Sequence, residues 1–311
     1  MQATQTEPNL TRGYSIALTS SIVLSTTGIL IRYLTQTYQL PSLILAFWRE
    51  LFVVVSLFVL LALFRPVLLR VKRQHLRYLV VYGFVLAMFN SFWTLSVSLN
   101  GAAVATVLAY SSAGFTVLLG WAFLQERIGK VKMLAVVLSI GGCVLVVGAL
   151  DPEVWRTNLI GIVAGIFSGV FYSVYSLLGR SASQRGLNAW STLLYIFGFG
   201  SIFLLSVNLV SNGFFPGSAT HPGELLWLGN ALTGWGILLL LAVGPTLFGY
   251  GLYNMSLGYL PSSIAHLILT TEPVFTAVIA FFFLGEILTG VQIGGSVMIM
   301  CGVIFLRIYG D

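Results

Sequence analysis

Residues 281–292 read FFFLGEILTGVQ, and residues 121–132 read WAFLQERIGKVK. Phe–Leu–x–Glu recurs in register at an offset of 160 residues, followed by Val131 and Val291. The first copy carries Arg127, Lys130 and Lys132 after its glutamate; the second carries no basic residue there. The match extends outward. Residues 96–146 align with 256–306 without a gap, pairing Ser96 with Ser256, Ala105 with Ala265, Phe115 with Phe275, Thr116 with Thr276 and Gly142 with Gly302. Near the start of each half the offset is 148, pairing Gly13 with Gly161, Ser20 with Ser168, Leu30 with Leu178 and Arg32 with Arg180. The chain therefore divides into two copies of one unit, 1–150 and 151–311.

Composition sets the solvent. Charged residues make up 8% of the chain, hydrophobic ones 58%, and the mean hydropathy is +0.96. A soluble domain carries about 25% charged residues, so this chain has too few to cover a wetted surface. Its apolar runs are about 20 residues long, the length a helix needs to cross a bilayer core. The alternating segments of a β-barrel are absent. Ten spanning helices are expected, at 14–34, 42–64, 77–98, 102–123, 131–149, 159–179, 189–210, 233–256, 262–284 and 290–308. Pro41, Pro66, Pro152 and Pro261 fall at edges, where a missing N–H costs least, and Asn100–Gly101 reads as a turn. The polar start, MQATQTEPNLTRG, lacks a small-residue cleavage site, so the first span is expected to be retained. Cys143 and Cys301 sit in apolar runs and read as packing residues.

Five spans per unit is an odd number, so the two units enter the membrane in opposite senses. With the N-terminus in the cytoplasm, the inner segments hold Arg12; Arg65, Arg70, Lys72, Arg73 and Arg77; Arg127, Lys130 and Lys132; Arg180 and Arg185; and Arg307. Cytoplasmic loops collect Lys and Arg, so both termini are expected to be cytoplasmic. The unequal charge of the two copies has the same origin: the loop after Glu126 faces the cytoplasm and the loop after Glu286 faces out. The net charge of +6 is thus orientation chemistry and not a nucleic-acid surface. Inverted repeats typically hold a substrate site near the midplane and expose it to each side in turn.

Ionisable groups at membrane depth are costly and face a cavity or a partner. Arg49 and Glu50 lie about two turns into the second helix, on directions roughly 100° apart. They read either as a capture site for a carboxylate or amine, or as a buried structural pair with the arginine reaching for the surface. Glu272 precedes Pro273 within the ninth helix. It reads either as a proton site or amine partner, or as a hydrogen-bonding repair of the kink. His266 lies on another face of the same helix and either senses pH or is simply hydrogen-bonded. Glu126 and Glu286 read as turn and interface anchors.

The richer signal is aromatic and amide. The third helix carries Tyr82, Phe89, Asn90 and Trp93 on one stripe. The fourth carries Tyr110, the sixth Tyr172 and Tyr175, and the eighth Tyr250, Tyr253 and Asn254. Mid-depth Tyr and Trp suit a pocket for amphipathic planar ligands, or else ordinary packing between helices. Gly161, Gly165 and Gly169, with Gly198, Gly200, Gly294 and Gly295, read as close helix approach. No Walker A, GxSxG, HExxH or Cys/His cluster occurs, and no span contains Asp. Neither catalysis, a metal nor a cofactor is expected. The scarcity of carboxylates favours facilitated diffusion of a neutral or zwitterionic solute.

The stretches EPVFTAVIAFFFLGE (272–286), SAGFTVLLGWAFLQE (112–126) and SLGYLPSSIA (256–265), set in ten spans of 5+5, resemble the drug/metabolite transporter superfamily in its EamA-type branch. The resemblance covers essentially the whole chain. It implies a bundle in which helices 1–4 and 6–9 line a central cavity while 5 and 10 support it from outside. Members export amino acids, metabolites or drugs, and the length and aromatic-rich helices are similar to bacterial inner-membrane exporters of aromatic amino acids. The expectation is a multi-pass protein of the bacterial inner membrane that exports aromatic and neutral hydrophobic amino acids by alternating access, as a uniporter and as a monomer. Its partners would be a small-molecule solute and lipid. Tyr82, Phe89, Asn90, Trp93, Tyr110, Tyr172, Tyr175, Tyr250, Tyr253, Asn254, His266 and Glu272 are the candidate substrate-binding residues. The alternative is proton-coupled efflux of lipophilic drugs or cations.

Overall fold

The computed structural model describes residues 10–146, 152, 159–284 and 289–309; Glu286 lies outside them. Within the described residues the chain is all-helical. In chain order the helices are α1 (Leu10–Leu24), α2 (Thr27–Thr37), α3 (Ser42–Phe64), α4 (Leu76–Tyr110), α5 (Ser112–Leu124), α6 (Lys130–Val146), α7 (Leu159–Gln184), α8 (Ala189–Val210), α9 (Leu232–Leu241), α10 (Tyr250–Ser256), α11 (Ser262–Leu269), α12 (Glu272–Leu284) and α13 (Gly290–Tyr309). Six helical stretches among these residues are long and apolar enough to cross a bilayer: 10–37, 42–64, 73–99, 159–184, 189–210 and 232–256.

Three spans expected to be single helices are interrupted, and the same chemistry recurs at each break. Between α1 and α2, Ser25 Oγ donates to Ile22 O at 2.6 Å and Thr26 Oγ1 to Val23 O at 3.0 Å. Between α4 and α5, Ser111 Oγ donates to Leu108 O at 2.6 Å. Between α11 and α12, Thr270 Oγ1 donates to Leu267 O at 2.6 Å and Thr271 Oγ1 to Ile268 O at 2.8 Å. A hydroxyl that takes a carbonyl of the preceding turn competes with the backbone N–H and bends the helix. The break also resolves the proline problem. Pro273 becomes the second residue of α12, where its absent N–H costs nothing. Ser111 and Thr271 stand at the repeat offset of 160, so this break occurs twice. A fourth irregularity is a π-helical segment, Ala242–Gly249, joining α9 to α10 and containing Pro245.

The expected turn at Asn100–Gly101 lies inside α4, whose helical pairing continues from Leu76 to Tyr110. Yet Ser96 and Leu108 both abut Gly165: a methyl placed there would meet Ser96 Oγ at 2.9 Å and Leu108 Cβ at 2.7 Å. Twelve residues of straight helix span about 18 Å. The chain therefore doubles back between Ser96 and Leu108 while keeping its helical pairing.

Packing follows the repeat. α1 lies against α10 and α11, and α7 lies against α4 and α5, so the first helix of each half packs on the other half's later helices. Ser20 Oγ donates to Gly249 O at 2.7 Å, Ser21 and Thr271 share a hydrogen bond of 2.8 Å, and Thr276 Oγ1 donates to Ser25 O at 3.0 Å. On the other side Ser96 Oγ donates to Gly161 O at 3.0 Å. α6 and α13 pack together reciprocally. A methyl on Gly142 would meet Gly295 O at 2.6 Å and Ile299 Cγ1 at 2.6 Å; one on Gly302 would meet Leu138 Cβ at 3.1 Å and Ala135 O at 3.3 Å. Gly142 and Gly302, like Ala135 and Gly295, are repeat equivalents, so the contact has the form of an isologous interface.

The two ends differ. At one, Trp48 Nε1 donates to Leu225 O at 2.6 Å, Trp227 Nε1 to Tyr38 O at 3.0 Å and Trp235 Nε1 to Gly229 O at 3.0 Å. At the other lie the basic segments, with the Arg12 guanidinium 5.4 Å from the Tyr259 ring centre and that of Arg185 4.5 Å from Tyr78.

Candidate functional site

The helix irregularities meet at one place. A small chamber of about 40 Å³ is lined by Leu24, Thr27, Phe89, Trp93, Ala109, Tyr110, Tyr172, Tyr250 and Glu272. Leu24 and Thr27 flank the α1–α2 break. Ala109 and Tyr110 precede the α4–α5 break. Glu272 opens α12, and Tyr250 follows the π segment. Non-helical backbone at membrane depth is tolerated where it lines a cavity, and four irregular points converging on one cavity is the arrangement of a solute site. The space has room for about three water molecules, far less than an amino acid needs.

Around it the expected aromatic set forms a continuous wall. Phe89 and Tyr172 stack with ring centres 4.5 Å apart and planes at 9°. Tyr175 meets Tyr250 edge-on at 5.7 Å and Tyr253 face-on at 6.3 Å. Contacts of this kind contribute about 0.5–1.5 kcal/mol each beyond burial. Polar tips are paired: Tyr82 Oη donates to Asn254 Oδ1 at 3.1 Å, and the Asn254 amide donates to Tyr175 Oη and to Tyr250 O. Tyr110 Oη donates to Glu272 Oε2 at 2.7 Å. The half-buried Glu272 carboxylate thus receives one donor across the two repeats, which a carboxylate inside a membrane requires.

His266 is fully buried and well partnered. Its ring nitrogens share hydrogen bonds with Ser112 Oγ at 2.6 Å, Ser176 Oγ at 3.1 Å and Tyr253 Oη at 3.3 Å, and its ring stands edge-on to Tyr172. It joins the wall without bonding to Glu272. Ser112 and Ser176 therefore belong to the site though the aromatic stripe did not include them; they are small polar residues in apolar runs. Asn90 turns the other way. Its Nδ2 donates to Glu50 Oε1 at 2.7 Å, tying the third expected helix to α3.

Tyr82, Tyr175 and Asn254 separate this chamber from a second space. A cleft of about 320 Å³ opens at the basic end, lined by Gly179, Ser183, Asn188, Thr192, Asn254, Met255 and Tyr259 among others. Asn254 lines the cleft and bonds to the ring wall. Beside it the two halves are fastened. Glu126 accepts from Ser262 N at 2.8 Å, Ser262 Oγ at 2.6 Å and Ser263 N at 3.3 Å, and from Ser263 Oγ. The Lys132 ammonium lies 3.7 Å from the same carboxylate and donates to Ser263 Oγ at 2.8 Å. Arg180 Nη1 donates to Leu257 O at 2.8 Å. Glu126 is thus a cross-repeat anchor, seated on the N-terminus of α11 where a negative charge is favoured. Among the described residues no group of His, Cys, Asp or Glu could hold a metal ion.

The family model described as "EamA-like transporter family" matches this chain twice, at residues 11–148 and 159–308. The threonine/homoserine exporter RhtA of Salmonella typhimurium (strain LT2) is 28% identical over 249 residues, covering 79% of this chain and 75% of that protein. The uncharacterized transporter sll1319 of Synechocystis is 27% identical over 225 residues, covering 72% of this chain and 64% of that protein. One crystal structure superposes with a TM-score of 0.74 and 16% identity, over 95% of this chain and 96% of its own. At that identity the likeness concerns the fold alone.

Proposed function

The chain belongs to the EamA-like transporter family, and from that premise we propose that it exports aromatic and neutral amino acids across a bacterial inner membrane by alternating access. Ten spans in two inverted five-helix units, 1–150 and 151–311, carry the transport, with both termini in the cytoplasm. One chain contains both units and works as a monomer. The observation that carries this reading is the meeting of four helix irregularities at one aromatic chamber, with a separate cleft at the basic end. Tyr82, Tyr175 and Asn254 form the barrier between the two. Phe89, Trp93, Tyr172 and Tyr250 hold the side chain, while Tyr110, Asn254, His266 and Glu272 meet the polar atoms. Relatives named as threonine/homoserine exporters support an amino acid as cargo.

Transport is facilitated diffusion. No chain of carboxylates crosses the bundle among the described residues, and Glu272 is held by Tyr110 alone of the side chains. A second reading, proton-coupled efflux of lipophilic cations, rests on two carboxylates at membrane depth, the buried Glu50 and the half-buried Glu272. Labelled tryptophan, phenylalanine and threonine followed in liposomes, with and without an imposed pH gradient, decide between them. Saturable movement indifferent to pH is the expected result. Amino-acid movement that requires the gradient, and loses that requirement in Glu272→Gln, replaces diffusion with proton coupling, whereas gradient-driven movement of a lipophilic cation such as tetraphenylphosphonium and of no amino acid supports the second reading. No movement of any amino acid by folded protein overturns the cargo assignment.

A further inference from the structure

We infer that Arg49 is the anchor for the carboxylate of the transported solute. This deepens the exporter reading and rests on it. Arg49 lies in α3 and is 1% exposed, yet its Nε and Nη2 have no protein acceptor. Those two nitrogens form one edge of the guanidinium, the edge that meets both oxygens of a carboxylate side-on. The neighbouring acid does not serve it. Glu50 is the next residue along the helix and points about 100° away; its Oε1 takes the Asn90 amide, and its Oε2 faces Gly200. An unpaired buried cation costs several kcal/mol, and at membrane depth such residues mark a solute path.

The guanidinium lies beside the chamber wall. Its centre stands 5.8 Å from the Trp93 ring centre, and Trp93 is part of the chamber wall. Tyr250, another wall residue, lies within electrostatic reach of Arg49, Glu50 and Glu272 together. The cation and the Glu272–Tyr110 pair thus flank one aromatic wall. An α-amino acid has the matching shape: its carboxylate meets the Arg49 edge as Trp93 and Tyr250 part, its ammonium meets Glu272, and its side chain lies among Phe89, Tyr172 and Tyr250. Packing against Trp93 holds the arginine in place when the site is empty.

The test uses the full chain in liposomes with L-phenylalanine, L-threonine and phenethylamine, which keeps the ring and amine of phenylalanine and lacks its carboxylate. Wild type should move the two acids and exclude phenethylamine. Arg49→Gln should raise KM for the acids at least tenfold and lose the discrimination against phenethylamine. Arg49→Lys should recover part of the affinity by charge alone. Because Arg49→Gln leaves Glu50 without a nearby cation, the double variant Arg49→Gln/Glu50→Gln serves as the neutral control, and it too should lose the discrimination. Equal KM and unchanged discrimination in every variant that folds would overturn the inference. If wild type moves neither acid, the exporter reading falls by itself. The anchor is then decided by thermal unfolding: a midpoint raised by the acids in wild type, less in Arg49→Lys and not in Arg49→Gln, upholds it, and no rise in wild type, or an equal rise in Arg49→Gln, rejects it.

Discussion

At the residue scale, glycines show how alike letters differ in what they do. Gly142 stands where α6 meets α13, and a methyl there strikes backbone, 2.6 Å from Gly295 O. Gly294 has open space on the same pair of helices. Gly142→Ala should therefore destabilise by about 1–3 kcal/mol through overpacking. Gly294→Ala should stabilise by roughly 0.5–1 kcal/mol, because glycine in a helix interior costs that much relative to alanine. Thermal unfolding in detergent reads both, and a lower midpoint for Gly294→Ala would refute the distinction. The sequence offers Gly294, with Gly161, Gly165, Gly169, Gly198, Gly200 and Gly295, as a close-packing candidate, and Gly142 only as a repeat identity. Gly165 and Gly169 bear that out against Leu108 and Ser111, while Gly198, like Gly294, touches nothing within 4 Å.

At the element scale, function sits where helices depart from regularity. Pro245 lies in the π segment that sets the direction of Tyr250, Tyr253 and Asn254. Pro245→Ala lets the segment return to α pairing, and each residue of register rotates those three side chains by about 100°. Transport should fall sharply while stability changes by no more than about 1 kcal/mol. Undiminished transport would show that the segment is incidental. Glu126 offers a second test. Its carboxylate receives two hydroxyls and two amides of Ser262 and Ser263, and a charge-assisted bond contributes about 1.5–3 kcal/mol. Glu126→Ala should speed hydrogen exchange at residues 262–266 at least tenfold and loosen the contact between the two halves beside the cleft. Unchanged exchange there would mean that packing alone holds it. The breaks had a readable signal, the hydroxyl pairs Ser25–Thr26, Ser111–Ser112 and Thr270–Thr271 inside apolar runs. Hydroxyls that back-bond in the same way also occur in unbroken helix, as at Ser168 in α7 and Ser201 in α8. Whether a hydroxyl bends a helix depends on what else can take the freed carbonyl, as Thr276 does for Ser25.

At the scale of the whole molecule, the two units are alike in plan and unlike in detail. α6 and α13 pack reciprocally, and the Ser111 break recurs at Thr271. The α1–α2 break has no counterpart in α7, and the π segment none in α4. Orientation is open to direct measurement. In a background with Cys143 and Cys301 replaced by serine, Thr220→Cys should react with a membrane-impermeant thiol reagent in intact cells. Arg127→Cys should react only after the membrane is opened. Labelling in the reverse pattern would turn the molecule over and place both termini outside.

The sequence by itself determined that the chain lives in lipid, that it is helical, that it is built from one unit used twice, and that its positive charge gathers at one end. Each of these is written in short-range hydropathy, in self-similarity or in loop charge, and needs no knowledge of which helix touches which. Ten of the twelve candidate residues stand out in the sequence as aromatic or amide positions in apolar runs, and His266 and Glu272 as ionisable ones, although that pattern could not show that Asn90 turns to Glu50 and away from the others. Only the tertiary structure decided that the helix breaks meet at one chamber, that Glu126 caps a helix 136 residues away, and that Arg49 keeps an unpaired edge beside Trp93. The reason is physical. In a bilayer every helix must satisfy its own backbone, so local sequence suffices to make one. Which polar side chains find partners, and which are left for a solute, depends on contacts between residues far apart in the chain.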